Sequence, residues 1–248
     1  MIFTSVVVCF LSLIVPLSNA QDAQGIVDAA VRYYRGKTSA SVVDMKISRP
    51  GWTRDMSIKA WTKGQKESLF TIIAPPKDEG NGTLKRGVEM WTYNPKVNRV
   101  IKLPPSMMSQ SWMGSDFSNE DLAKSDSICE DYTHVLEGTE VHEGKKVYVI
   151  QSTPKQGAAV VWGMQRLKIR EDHIILLQEF YDEDKRLVKA LTGSQIQQMG
   201  GRLFPKIWKM QRGTAGTEFT TVTYRVVRFD VDIPDRLFSE AALKSAWR

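Results

Sequence analysis

From residue 22 onward the chain reads first as one helix and then as strands. In "DAQGIVDAAVRYYRG", Ile26, Val27, Ala30, Val31 and Tyr34 recur at helical spacing, and Gly36 supplies the stop. Beyond it the period changes to two. "SASVVDMKISR", "RDMSIKAWTKG" and "VEMWTYNP" alternate apolar with polar positions, and "NRVIKLP" follows the turn "NPKVN" as the second arm of a hairpin. Later strands come in pairs joined by turn signals, in "THVLEGTEVHEGKKVYVIQSTP", "WGMQRLKIREDHIILLQEFYDEDKRLVKAL" and "LFPKIWKMQRGTAGTEFTTVTYRVVRFDV". The last of these slips phase at Val226–Val227: Val222, Tyr224 and Val226 share one face, and Val227, Phe229 and Val231 continue on the other, which predicts a bulge and a bent strand. "PDRLFSEAALKSAW" predicts a short closing helix from near Pro234.

The pattern gives one helix, about five strands, an irregular segment and about six more strands, a meander that closes or half-closes into a barrel. The irregular segment is "SMMSQSWMGSDFSNEDL", residues 106–122. Three methionines, a tryptophan and a phenylalanine make it too apolar for a solvated loop, yet it has neither helical nor strand period. Only the concave face of a curved sheet needs such a cover. A methionine-rich flap adapts to partners of differing shape, as rigid branched side chains do not. No repeat, low-complexity tract or linker divides the chain, so residues 21–248 read as a single β domain.

Composition adds a leader and removes most chemistry. Residues 2–17 carry no charge and are followed by the small residues Ser18 and Ala20, which predicts a signal peptide over 1–20 cleaved after Ala20. An uncleaved anchor would need about 20 apolar residues, and Pro16 with Ser18–Asn19 cuts the run short. The mature chain then keeps one cysteine, Cys129, and no intramolecular disulfide. The net charge of +6 is scattered along solvated strand faces, a surplus that suits anionic lipid headgroups. Nucleic acid is not an expected partner of an exported chain.

No nucleophile elbow, H-E-x-x-H, P-loop or paired C-x-x-C occurs. His134, His142 and His173 lack metal-ligand spacing and read as surface residues, and Cys129 reads as a small buried side chain. Asp116, Glu120, Asp121 and Asp126 lack the turn glycine of a calcium loop, and Asn119 or Ser118 followed by Glu120–Asp121 fits a helix start better. "EGNGTLKRG" reads as a glycine-rich loop with no helix behind it to bind phosphate. The expectation is no catalytic residue, no metal ligand and no cofactor: not an enzyme.

The stretch "MWTYNPKVNRVIKLPPSMMSQSWMGSDFSNEDL", with "DYTHVLEG", "VVWGMQRLKIRED", "GGRLFPKIWKM" and the terminal "IPDRLFSEAAL", resembles the LolA-like outer membrane lipoprotein-sorting protein family of bacteria. The resemblance implies a mainly β (α+β) fold: a strongly curved antiparallel sheet forming an unclosed barrel, with helices over its concave apolar face. It also implies a periplasmic carrier for lipid or acylated lipoprotein, with an inner-membrane exporter and an outer-membrane acceptor as partners. On that reading Trp91, Tyr93 and Leu103 form cavity wall, Met107, Met108, Trp112, Met113 and Phe117 form the lid, and Gly114 is its hinge. The alternative is a non-enzymatic accessory subunit of an inner-membrane (RND/MMPL-type) exporter or envelope complex, its cavity filled by its own side chains.

Overall fold

The computed structural model describes residues 18–213 and 216–245. Residues 1–17 of the expected signal peptide lie outside the described residues, and the expected cut after Ala20 falls in the first turn of α1 (Ser18–Arg35). Among the described residues no helix is long and apolar enough to cross a membrane. The apolar stripe of α1 buries Ala23, Val27, Ala30 and Val31. The helix ends as predicted: Gly36 takes φ +66° and returns its N–H to the carbonyl of Arg32 at 2.8 Å.

The strands of the described residues form one antiparallel sheet of thirteen. They are β1 (Thr38–Arg49), β2 (Trp52–Lys63), β3 (Glu67–Ala74), β4 (Gly82–Arg86), β5 (Glu89–Asn94), β6 (Arg99–Lys102), β7 (Tyr132–His142), β8 (Lys145–Pro154), β9 (Met164–Arg170), β10 (Ile175–Tyr181), β11 (Leu187–Met199), β12 (Arg202–Arg212) and β13 (Phe219–Phe229). So many twisted strands cannot stay flat, and the sheet curls into an unclosed barrel whose edge strands, β6 and β7, do not pair.

Strand order explains the irregular segment. The chain starts in the middle of the sheet at β1, steps outward through β2 to β6 at one edge, and resumes at β7 on the opposite edge. From there it steps back until β13 pairs with β1. Residues 103–131 must therefore cross the whole sheet, and they do so over the concave face. Along the way they form two single-turn 3₁₀ helices (Pro105–Met107 and Trp112–Gly114), α2 (Asn119–Ala123) and α3 (Ser127–Glu130).

Three details differ from the sequence expectation. "GTLKR" is strand β4 and no phosphate loop. Its glycine is required because a Cβ on Gly82 would lie 2.6 Å from Leu243 Cδ1 of α4 (Glu240–Ser245). Secondly, the bulge lies one residue early: Val42 faces Val226 and Val43 faces Tyr224, leaving Arg225 as the extra residue. Its effect is to keep Val222, Tyr224, Val227 and Phe229 all on the concave side, where unbroken alternation would turn the second pair outward. Thirdly, His134 is buried, its Nδ1 2.8 Å from Ser152 Oγ, because β7 packs under α1. His142 lies at the surface as expected.

Candidate functional site

Three apolar clusters divide the interior. The first joins α1 to the β7–β10 end of the sheet through Val27, Val31, Ile128, Tyr132, Leu167 and Trp208. The second lies beneath the crossing segment and holds Met45, Ile58, Ile72, Met90, Leu103 and Trp112, with Met107, Met108, Met113 and Phe117 packed against it. The third is on the opposite face of β3–β5, where the chain's last residues cover Leu69, Leu84, Trp91 and Tyr93 with Ile233, Phe238 and Leu243.

Between the first two clusters lies a hollow of two adjoining lobes of about 180 and 220 Å³. Tyr34, Arg35, Phe117, Asp121, Leu191 and Trp208 line both. The α1-side lobe is walled by Val31, Ile128, Val160, Trp162, Ile175 and Phe180. The other lobe is walled by Val43, Met45, Ile58, Phe70, Trp112, Val222 and Phe229, with a polar floor of Ser39, Ser41, Thr62 and Ser68.

The residues expected at the site divide accordingly. Trp112 and Phe117 reach the hollow, while Leu103, Met107, Met108 and Met113 pack around Trp112 without lining it. Trp91 and Tyr93 line neither lobe. Period-two alternation puts their neighbour Met90 on the concave side and turns both aromatics to the other face, where Arg86 and Lys102 lie over the Trp91 ring. Gly114, at φ +79°, sits in a small closed loop in which Trp112 N–H bonds the Phe117 carbonyl at 2.7 Å and Ser111 bridges Ser118.

The cover is held down by carboxylates that reach separate strands. Asp116, fully buried, receives both Nη atoms of Arg49 (β1) at 2.9 and 3.0 Å, Arg212 Nε (β12) at 3.1 Å and the Thr220 hydroxyl (β13) at 2.7 Å. Asp121 pairs with Lys189 of β11, and Asp126 with Lys85 of β4 at 3.4 Å. Burial pushes both lysines below their ordinary range, and the paired carboxylates oppose it. Trp112 adds an indole N–H to Thr83 Oγ1 of β4 at 3.0 Å. Capping also occurs as expected: Ser118 and Asp121 form a reciprocal capping box on α2, with Glu120 and Asp121 in its first turn. The sequence pointed to the acids; their strand partners were not visible because each lies dozens of residues away.

Chemically the site is a greasy enclosure. Burial, reinforced by Asp28, pushes the Cys129 thiol up to about 12, opposite to what a nucleophile requires. Among the described residues no group of three or more His, Cys, Asp and Glu side chains is placed to hold a metal.

Known proteins agree on the fold. A family model described only as "Uncharacterized protein" matches residues 64–245. No curated protein is significantly similar in sequence. Among solved structures, a DUF1329 family protein from Desulfovibrio piger is 27% identical, with 91% of this chain and 99% of that chain aligned at a TM-score of 0.80. A domain described as an outer membrane lipoprotein-sorting protein domain, from Vibrio parahaemolyticus, is 19% identical over 91% and 100% at 0.76. A LolA superfamily protein from Nitrosomonas europaea is 22% identical over 89% and 98% at 0.72. The fold is that of the LolA-like proteins.

Proposed function

Given that the chain belongs to the family whose model spans residues 64–245, and has the LolA-like fold, we propose that it is a non-enzymatic periplasmic carrier. In this reading residues 1–20 direct export, and residues 21–248 form one unit that shields acyl chains during passage toward the outer membrane. The observation that carries it is the apolar hollow between α1, the sheet and a separately latched cover. The need is physical. Each methylene moved out of water is worth about 0.8 kcal/mol, so a 16-carbon chain faces a gross term of roughly 12 kcal/mol. A cavity must offset most of this without holding the chain too tightly to release it.

Phe117 and Trp112, with Leu122 and Ile128, are the apolar cover residues that line the hollow such a chain would enter. In this reading the cover moves between a closed position with its ion pairs made and a lifted one with them broken. The test is gel filtration of the protein with vesicles containing a fluorescent acyl lipid. Co-elution of the label with the protein is the expected result, and label remaining wholly with the vesicles refutes the carrier.

A second reading draws on a different observation. The cover already places Trp112 and its methionines in the concavity, as a self-filled accessory subunit of an inner-membrane exporter would. That reading predicts no lipid on the protein and co-isolation with a membrane partner.

A further inference from the structure

Of the charged side chains lining the hollow, Glu120 pairs with Lys124 at 2.7 Å and Asp121 with Lys189. Arg35, the last residue of α1, lines both lobes and pairs with no carboxylate among the described residues. Its Nε donates to the Gly64 carbonyl at 3.3 Å, and its Nη2 to the Gln65 carbonyl at 3.4 Å and Ser68 Oγ at 3.2 Å. Nη1 makes none of these hydrogen bonds, and the side chain as a whole is only partly buried, so Nη1 is open to a further acceptor.

The surroundings do not neutralise this charge. Lys85 shares the Gln65 carbonyl with Arg35, and Asp126 is the carboxylate paired with Lys85. Buried Lys85 and partly buried Arg35 thus face one carboxylate, leaving a net positive charge beside an apolar chamber. Burial works against the arginine's charge, and of the groups that support it Asp126 alone is ionised at neutral pH. A charge taken partly out of water without a carboxylate partner is unfavourable in proportion to its desolvation, and an anionic partner offsets that. The neighbouring Tyr34 and Tyr224 hydroxyls, 3.0 Å apart, and the Ser39–Thr62 hydroxyl pair add polar groups to the same lobe.

Resting on the carrier reading, we propose that Arg35 receives the anionic head of a single-chain lipid, a carboxylate or a phosphate monoester, so that the cargo is held head-inward. Lobes of about 180 and 220 Å³ together reach only the low end of the ~300–1,000 Å³ of small-molecule sites, room for one chain and no more. A head-inward site also selects a free amphiphile over an acylated protein, whose polypeptide would have to remain outside.

The experiment is displacement of the neutral apolar fluorophore N-phenyl-1-naphthylamine by dodecanoate, methyl dodecanoate and dodecanoyl lysophosphatidate. A charge-assisted hydrogen bond predicts that at least one anion displaces the probe about tenfold or more better than the ester. The anion with the larger advantage identifies the source of the head. Arg35→Gln should cut that ratio below about threefold, and Arg35→Lys should restore part of it. Equal affinity of acid, lysophosphatidate and ester for the unaltered protein overturns the inference while leaving the carrier intact. So does a ratio that survives in Arg35→Gln. Failure of all three amphiphiles to bind removes the carrier reading and this inference with it. Thermal melts check folding, and the comparison on the unaltered protein does not depend on any variant.

Discussion

Trp112 and Phe117 both touch the hollow, yet the structure predicts different consequences for their loss. Trp112 is buried, meets Phe70 edge-on at 5.3 Å and bonds Thr83 through its indole N–H. Replacing it by serine should destabilise the fold by about 3–5 kcal/mol, of which the hydrogen bond contributes about 1. Phe117 is only half-buried, and its ring faces both lobes. Phe117→Ser should therefore cost about 1 kcal/mol of stability, yet admit water to the chamber and weaken acyl-chain retention about tenfold. Urea unfolding midpoints measure the first quantity and displacement of a fluorescent acyl probe the second. If Phe117→Ser loses 3 kcal/mol or more while retention falls no further than in Trp112→Ser, Phe117 is plain core and the lining argument fails.

The latch at Asp116 should be the strongest single attachment of the cover. Asp116→Ala removes the carboxylate that Arg49 and Arg212 share, leaving Arg49 only the 3.9 Å contact to Glu218, and should cost about 3 kcal/mol, with faster amide hydrogen exchange across residues 107–123; unchanged exchange there would show that the ion pairs do not hold the segment. At Asp172, burial pushes the carboxyl up, but the Arg170 hydrogen bonds at 2.8 and 3.0 Å outweigh it and leave the pKa below its ordinary value. Its contribution is present above the unfolded value of about 3.9 and is lost as pH falls through the lower folded value, so Asp172→Asn should flatten the acid limb of stability measured by urea midpoints below about pH 4. With its thiol pushed to about 12, native Cys129 should react with iodoacetamide at pH 8 at least ~100-fold more slowly than in the unfolded chain; comparable rates would contradict the burial argument.

Much of this fold was legible because its signals are local. The apolar stripe of α1 and the stop at Gly36 are spacing and one special backbone angle. The alternation of β1 and β2 reads directly as one buried face, with Val43, Met45 and Ile47 inward. Strand β4 was hidden because Gly82 resembles a loop residue until Leu243 is seen packing where a Cβ would be. The bulge was visible in the phase change, but not its position at Arg225, which depends on the register with β1.

The site was legible only in part. The composition of residues 106–122 announced a cover, and Trp112 and Phe117 do reach the hollow. Trp91 and Tyr93 look equally suited in sequence, but the covering of both sheet faces around β4 and β5 by two separate segments decides which aromatics face which chamber. Arg35 gave no signal at all: a basic residue in a helix's last turn is ordinary C-terminal charge. Only the folded chain shows that no carboxylate among the described residues forms an ion pair with it.

The most direct test of the central claim is gentle native mass spectrometry of mature protein from a periplasmic extract, followed by organic extraction of whatever accompanies it. The carrier account predicts adducts of single-chain lipid mass, one per protein, depleted in Phe117→Ser. A clean unliganded mass that stays clean after incubation with lipid vesicles would contradict it.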